Sequence, residues 1–147
     1  MEEEVVILIV EDDDGHARLI EKNLRRASIK NEILRFADGQ EILDFLFRQG
    51  EGRKREDVAA YLLLMDIRIP KLSGTEVLRR IKRDEELRRL PIIMLTTMDD
   101  PREVDVCHDL GCSHYIVKPV EYDKFVEVLG QLGLFLKIVR VPRVSGG

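Results

Sequence analysis

Cysteine is scarce in this chain of 147 residues: Cys107 and Cys112 are its two thiols. That is too few for a disulfide framework and gives no sign of an oxidising compartment. Long apolar runs are missing too. The longest, Val58 to Met65, falls far short of the ~18 residues a helical membrane span requires. Nor is there an excess of positive charge: 24 basic residues face 28 acidic ones, a formal charge of −4, so nothing global favours nucleic acid as a partner. The chain opens on Met1-Glu2-Glu3-Glu4, acidic where a secretory signal is basic. These absences predict a cytoplasmic protein with no nucleic-acid and no membrane partner. The chain is instead 44% hydrophobic, enough for a sizeable core, and 35% charged, against about 25% in ordinary soluble proteins. That balance excludes a disordered tail or a fibre and suits one domain.

Apolar runs alternate with helical periodicities along the chain. Val5 to Val10 is unbroken, β-branched and apolar, as expected for a central strand of a parallel sheet covered on both faces. It ends abruptly in Glu11-Asp12-Asp13-Asp14. Ala17, Ile20, Leu24 and Ala27 then line one face of a helix. Ile33 to Phe36 reads as a strand, closed by Asp38-Gly39, and Ile42 to Phe47 marks a second helix stopped by Gly50. A polar loop, Gly50 to Asp57, leads to strand Tyr61–Met65 and Asp66. Gly74 to Asp84 is a helix, Ile92–Leu95 a strand ending at Thr96-Thr97, and Asp100-Pro101 opens the fourth helix, which Gly111 ends. Strand His114–Val117 ends at Lys118-Pro119, and Tyr122 to Gly133 is the last helix. Five strands alternating with five helices predict a doubly wound α/β sandwich on a parallel sheet.

In such sheets ligands bind outside the carboxyl ends of the strands. Four strands here end in reactive residues: Glu11 and Asp12, Asp66, Thr96, and Lys118. If the strand order is 2-1-3-4-5, the acids of the first and third strands converge. Three carboxylates sharing one pocket repel one another unless a cation intervenes. An oxygen-only ligand set without His or Cys favours Mg2+ or Mn2+ over zinc. Metal, carboxylate, hydroxyl and ammonium together suit phosphoryl transfer, with Asp66 as nucleophile and Glu11 and Asp12 as a metal-binding pair.

These residues, in this order, resemble the receiver domain of two-component response regulators from Val5 to about Leu132. The matching pieces are Ile7 to Asp13, Met65 to Pro70 with Gly74, Leu95-Thr96-Thr97, Gly111-Cys112 before Tyr115, and Lys118-Pro119. The resemblance implies a flavodoxin-like (βα)5 fold, strand order 2-1-3-4-5, and phosphorylation of Asp66 by a histidine kinase. It implies direct Mg2+ (or Mn2+) ligation by Asp12, Asp66 and the backbone carbonyl of Arg68, with Glu11 acting through water. Thr96 and Lys118 would grip the phosphoryl oxygens, the Lys118–Pro119 peptide would be cis, and Tyr115 would be an aromatic switch that turns inward as Thr96 moves. The responding surface would be the fourth helix, fifth strand and fifth helix. Such a domain is modified rather than turning over substrate, so no enzyme is expected beyond self-phosphorylation and slow autodephosphorylation.

Some positions depart from the family pattern. Glu11 stands for the commoner Asp, Val120 for a frequent Phe, and Arg68 and Met98 are expected to shield the phosphoryl group from water. Of three competing readings, an aspartyl-phosphate hydrolase of the haloacid dehalogenase type needs a second Asp where Arg68 stands. A flavin carrier would find its phosphate repelled by Glu11 to Asp14, and the complete acceptor set argues against a docking-only pseudo-receiver. Cys107, His108, Cys112 and His114 lack zinc spacing and read as buried thiols and solvent-facing imidazoles. His16 reads as a helix-start surface residue, and Arg53-Lys54-Arg55 as a solvated charged face. Beyond a receiver domain over residues 1–133, the apolar pattern Leu134 to Pro142 continues into a C-terminal extension, 134–147, with no separate output domain expected. That tail must fold back on its own domain or pack on a second subunit. Together with the Gly50–Asp57 insertion it resembles the stand-alone regulators of bacterial phytochrome-type histidine kinases, which implies a possible homodimer through the C-terminal region. Ser145-Gly146-Gly147 is expected to be a disordered end.

Overall fold

Alternate residues of the central strands face opposite sides of one sheet, and each side has its own core. A computed structural model describes residues 1–144. Strands β1 (Val6–Val10), β2 (Ile33–Phe36), β3 (Ala59–Met65), β4 (Ile92–Thr96) and β5 (His114–Val117) are parallel, in the order β2-β1-β3-β4-β5. Helices α1 (Asp14–Arg26) and α5 (Tyr122–Leu136) cover one face, burying Ile20, Leu24, Phe125 and Leu129 against Ile7, Ile9, Leu62 and Leu64. Helices α2 (Gly39–Leu46), α3 (Gly74–Arg83) and α4 (Pro101–Leu110) cover the other, burying Ile42, Val77, Ile81 and Cys107 against Leu8, Val10, Leu63 and Met65. The doubly wound arrangement expected from the alternation, in the flavodoxin-like strand order that the resemblance implied, is what the chain adopts. Four helices start on side-chain caps: Asp13, Asp38, Ser73 and Asp100 each accept a backbone N–H of the first turn.

Register positions the site. Val10 lies opposite both Phe36 and Met65, so β1 and β3 run out side by side. Glu11 and Asp66 therefore leave the sheet together.

Two boundaries differ from the sequence expectation. Helix α5 runs on through Gly133 to Leu136, because Leu132, Gly133 and Leu136 are all buried, Gly133 against Ala27. The expected 133/134 boundary thus falls inside this helix. Strand β3 begins at Ala59, and Ala59 and Ala60 pair antiparallel with Val144 and Arg143 of a short strand β6 (Arg143–Val144) that sequence patterning did not reveal. Of the two fates expected for the tail, the described part folds back on its own domain. Val139 and Val141 pack against the α1/α5-side core, Val144 is buried, and Arg140 and Arg143 pair with Glu2 and Glu4 at 3.1 and 2.7 Å. Ser145-Gly146-Gly147 lies outside the described residues.

The Gly50–Asp57 loop needs a correction too. Arg55, expected on a solvated face, is buried. Its guanidinium donates to the carbonyls of Leu46 and Glu56 (2.8 and 2.9 Å) and pairs with Glu86 at 3.0 Å. A buried guanidinium needs acceptors in fixed directions, and the end of α2, the loop itself and the segment after α3 supply them. Among the described residues, no helix is long and apolar enough to cross a membrane.

Candidate functional site

At the carboxyl ends of the strands, four polar side chains lie within an otherwise apolar interior: Glu11, Asp66, Thr96 and Lys118, each under a tenth exposed. The Lys118 ammonium, delivered by the end of β5, lies between the two acids. It donates to Asp66 Oδ2 at 3.0 Å and also pairs with Glu11 Oε1. Asp66 Oδ1 accepts the Arg68 N–H at 3.1 Å, and Glu11 Oε2 accepts the Asp13 N–H at 3.2 Å. Buried charges persist only when paired and hydrogen-bonded, as these are. Gly74 makes room for this strand end: a Cβ there would lie 2.4 Å from the Asp66 carbonyl oxygen, so α3 can start here only on glycine.

The other expected residues sit around this centre. Asp12 is exposed on the rim, and its carboxylate has no hydrogen-bond or ion-pair partner among the described residues. The Arg68 side chain is exposed, while Met98 packs against the α3/α4-side core. His16 Nδ1 lies 3.6 Å from Glu11 Oε1, and its ring meets Phe125 edge-on at 5.6 Å. The imidazole, expected at the surface, is 44% exposed there and also borders Glu11. Cys107 and Cys112 are buried, as the sequence suggested, and burial pushes the Cys107 thiol up to about 11. Val120 is 96% exposed and supports nothing around it.

Thr96 and Tyr115 meet through one residue. The Thr96 hydroxyl accepts the Met98 N–H at 3.3 Å, and the Tyr115 hydroxyl donates to the Met98 carbonyl at 2.7 Å. Tyr115 is half-buried, and desolvation, with Cys107 and Glu103 nearby, pushes its phenol up to about 12. The Lys118–Pro119 peptide is trans, since no cis peptide occurs among the described residues, contrary to expectation. The trans isomer is the intrinsically favoured one by ~0.5–1 kcal/mol.

The donor chemistry fits a hard divalent cation. Glu11, Asp12 and Asp66 supply only oxygens, and the single ammonium of Lys118 leaves the set net negative. Lys118 itself bridges two carboxylates, the role a cation plays in such a pocket. No group of three His, Cys, Asp or Glu side chains is already arranged to hold a metal among the described residues, and Asp12 stands exposed beside the buried pair.

Fold, buried acid pair and bridging lysine at the strand ends coincide with a family match: residues 7–130 match the response regulator receiver domain. The chain belongs to this receiver family. It is 33% identical to the response regulator Rcp1 of Synechocystis over 138 residues, 93% of this chain and 92% of that protein. A receiver domain from Rhodospirillum rubrum superposes with a TM-score of 0.86 at 44% identity, covering 96% of this chain and 99% of its own. The phosphorylated cyanobacterial phytochrome response regulator RcpA superposes with a TM-score of 0.82 at 30% identity, over 93% and 97%. Rcp1 has also been solved in a Mn2+-bound form. As a receiver, the chain is a signalling domain of a type that takes a phosphoryl group from a histidine kinase and binds a divalent metal.

One contact at this site escaped the sequence analysis. Arg35, on β2, donates to the Glu11 carbonyl and to Asp14. A lone charged residue in an otherwise apolar strand was the available signal.

Proposed function

We propose that Asp66 is the phosphoacceptor of this receiver and that the transfer depends on Mg2+ held by Glu11, Asp12, Asp66 and the carbonyl of Arg68. The supporting observation is the buried Asp66 carboxylate, held from one side by Lys118 Nζ at 3.0 Å and from the other by the Arg68 N–H at 3.1 Å. A bound divalent cation neutralises phosphoryl oxygens during transfer. The chain's own residues do the rest. An Asp66 oxygen attacks the phosphorus of a kinase phosphohistidine; the new O–P bond forms as the N–P bond breaks, and the imidazole leaves with the electron pair. Lys118 then exchanges one carboxylate partner for a phosphoryl oxygen. Thr96 releases the Met98 N–H to donate its hydroxyl to another, and Tyr115 senses that change through the Met98 carbonyl. The α4, β5 and α5 surface carries the output.

The domain is modified rather than turning over substrate, and acts in the cytoplasm on a protein partner. The phytochrome association named for RcpA favours a phytochrome-type kinase here. We also infer that the chain pairs with a second copy through its C-terminal region, because Leu134 and Ile138, near the end of α5, are 64% and 78% exposed.

Intact-mass spectrometry after incubation with acetyl phosphate tests the acceptor. One phosphoryl group should appear on the wild-type chain only with Mg2+, and none on Asp66→Asn. A labelled Asp66→Asn variant overturns the assignment.

A further inference from the structure

Arg35 is the charged residue of β2, the edge strand beside β1. Its Nε and Nη2 donate to the Glu11 carbonyl at 3.0 and 2.8 Å, and its Nη1 pairs with Asp14 Oδ1 at 2.5 Å. Glu11 is held from the same strand at its other end, where its N–H donates to the Phe36 carbonyl at 3.0 Å. The two peptides that flank Glu11 are therefore both held by β2, one through the Glu11 N–H and the next through the Glu11 carbonyl. The Asp14 contact alone is an ordinary exposed ion pair, with Asp14 72% exposed, and such pairs contribute little. The fork on the Glu11 carbonyl is different: it is part-buried and charge-assisted, and it fixes the direction in which the chain leaves β1.

Asp12 follows directly and has no side-chain partner of its own among the described residues. Its approach to the site is set by its backbone alone. We propose that Arg35 is a positioning residue for the divalent-cation site: by clamping the Glu11 carbonyl it fixes the backbone from which the Glu11 and Asp12 carboxylates reach the cation. This rests on the proposed metal role of Glu11, Asp12 and Asp66. Outer-shell residues of this kind typically govern metal affinity by roughly 10–100-fold.

The sign of the effect separates a clamp from a charge. A guanidinium beside a cation site repels the cation, so if Arg35 acted by charge alone its removal would tighten binding. A clamp predicts the reverse. Lysine keeps the charge but places one ammonium where a fork reaches two acceptors at once, so it cannot restore the clamp.

Mn2+ titration followed by the electron paramagnetic resonance signal of the free aquo ion reads affinity without any phosphoryl transfer. Arg35→Ala and Arg35→Lys should both weaken Mn2+ binding by about 10-fold or more. Thermal midpoints should stay close to wild type, since Arg35 is partly exposed on an edge strand. Unchanged or tighter binding by Arg35→Ala overturns the inference, as does wild-type affinity in Arg35→Lys. A wild-type chain that binds no Mn2+ overturns the metal site itself, and this inference with it.

Discussion

Tyr115 shows how one side chain can hold position through a proton. Its hydroxyl can donate to the Met98 carbonyl only while protonated, and burial keeps it so by pushing the phenol up to about 12. An unfolded tyrosine titrates near ~10. The folded state therefore binds this proton more tightly than the unfolded state. The resulting stability is fully present below about pH 10 and is lost as pH rises through about 12. Denaturant midpoints measured from pH 9 to 12 should fall more steeply for wild type than for Tyr115→Phe, which has no proton to lose. Equal slopes would mean that burial does not raise the Tyr115 phenol above its unfolded value. Legibility also varied at this scale. The strand-end residues Glu11, Asp66, Thr96 and Lys118 announced themselves, because a charged or hydroxylic residue closing an apolar run is a local signal. Arg35 and Arg55 did not, since the carbonyls they grip belong to other segments. A guanidinium on a carbonyl looks, in sequence, like any surface arginine.

Helix α5 carries the larger surprise among the elements. Glycine commonly ends a helix, and Gly133 invited that reading. It serves instead as the place where α5 approaches α1: a Cβ on Gly133 would come within 2.5 Å of the Ala27 Cβ. The helix then continues one further turn to bury Leu136 completely. Truncating a fully buried leucine costs ~2–5 kcal/mol. Leu136→Ala should therefore lower unfolding free energy by that order in urea titration, whereas a frayed, exposed end would leave it unchanged. Strand β6 follows the same logic. Two residues are too short for a periodicity to register, and their pairing with Ala59 and Ala60 spans more than half the chain.

At the scale of the whole molecule, the tail both completes the fold and leaves something over. Its inward residues, Leu136, Val139, Val141 and Val144, close the open end of β3 and the α1/α5-side core. Its outward residues, Leu134 and Ile138, remain in water. If they bury against a second copy, light scattering should give twice the 17.0 kDa chain mass. Leu134→Asp with Ile138→Asp should return the chain to a monomer at unchanged thermal midpoint. A monomeric wild-type chain would remove the dimer proposal and leave the receiver assignment intact.

Features that depend on neighbours along the chain could be read from the order of residues alone. Continuous apolar strands, three- and four-residue helical spacing, the Asp100-Pro101 cap and the acids at strand ends all follow from interactions within a few residues. Order of strands, burial and contact across segments were decided by the tertiary structure. Lys118 meets Glu11 across 107 positions of chain, and nothing local specifies such a meeting. It becomes determined only when the sheet sets β1 and β5 in one layer with β3 and β4 between them, so that their ends share a pocket too dry to leave either charge alone.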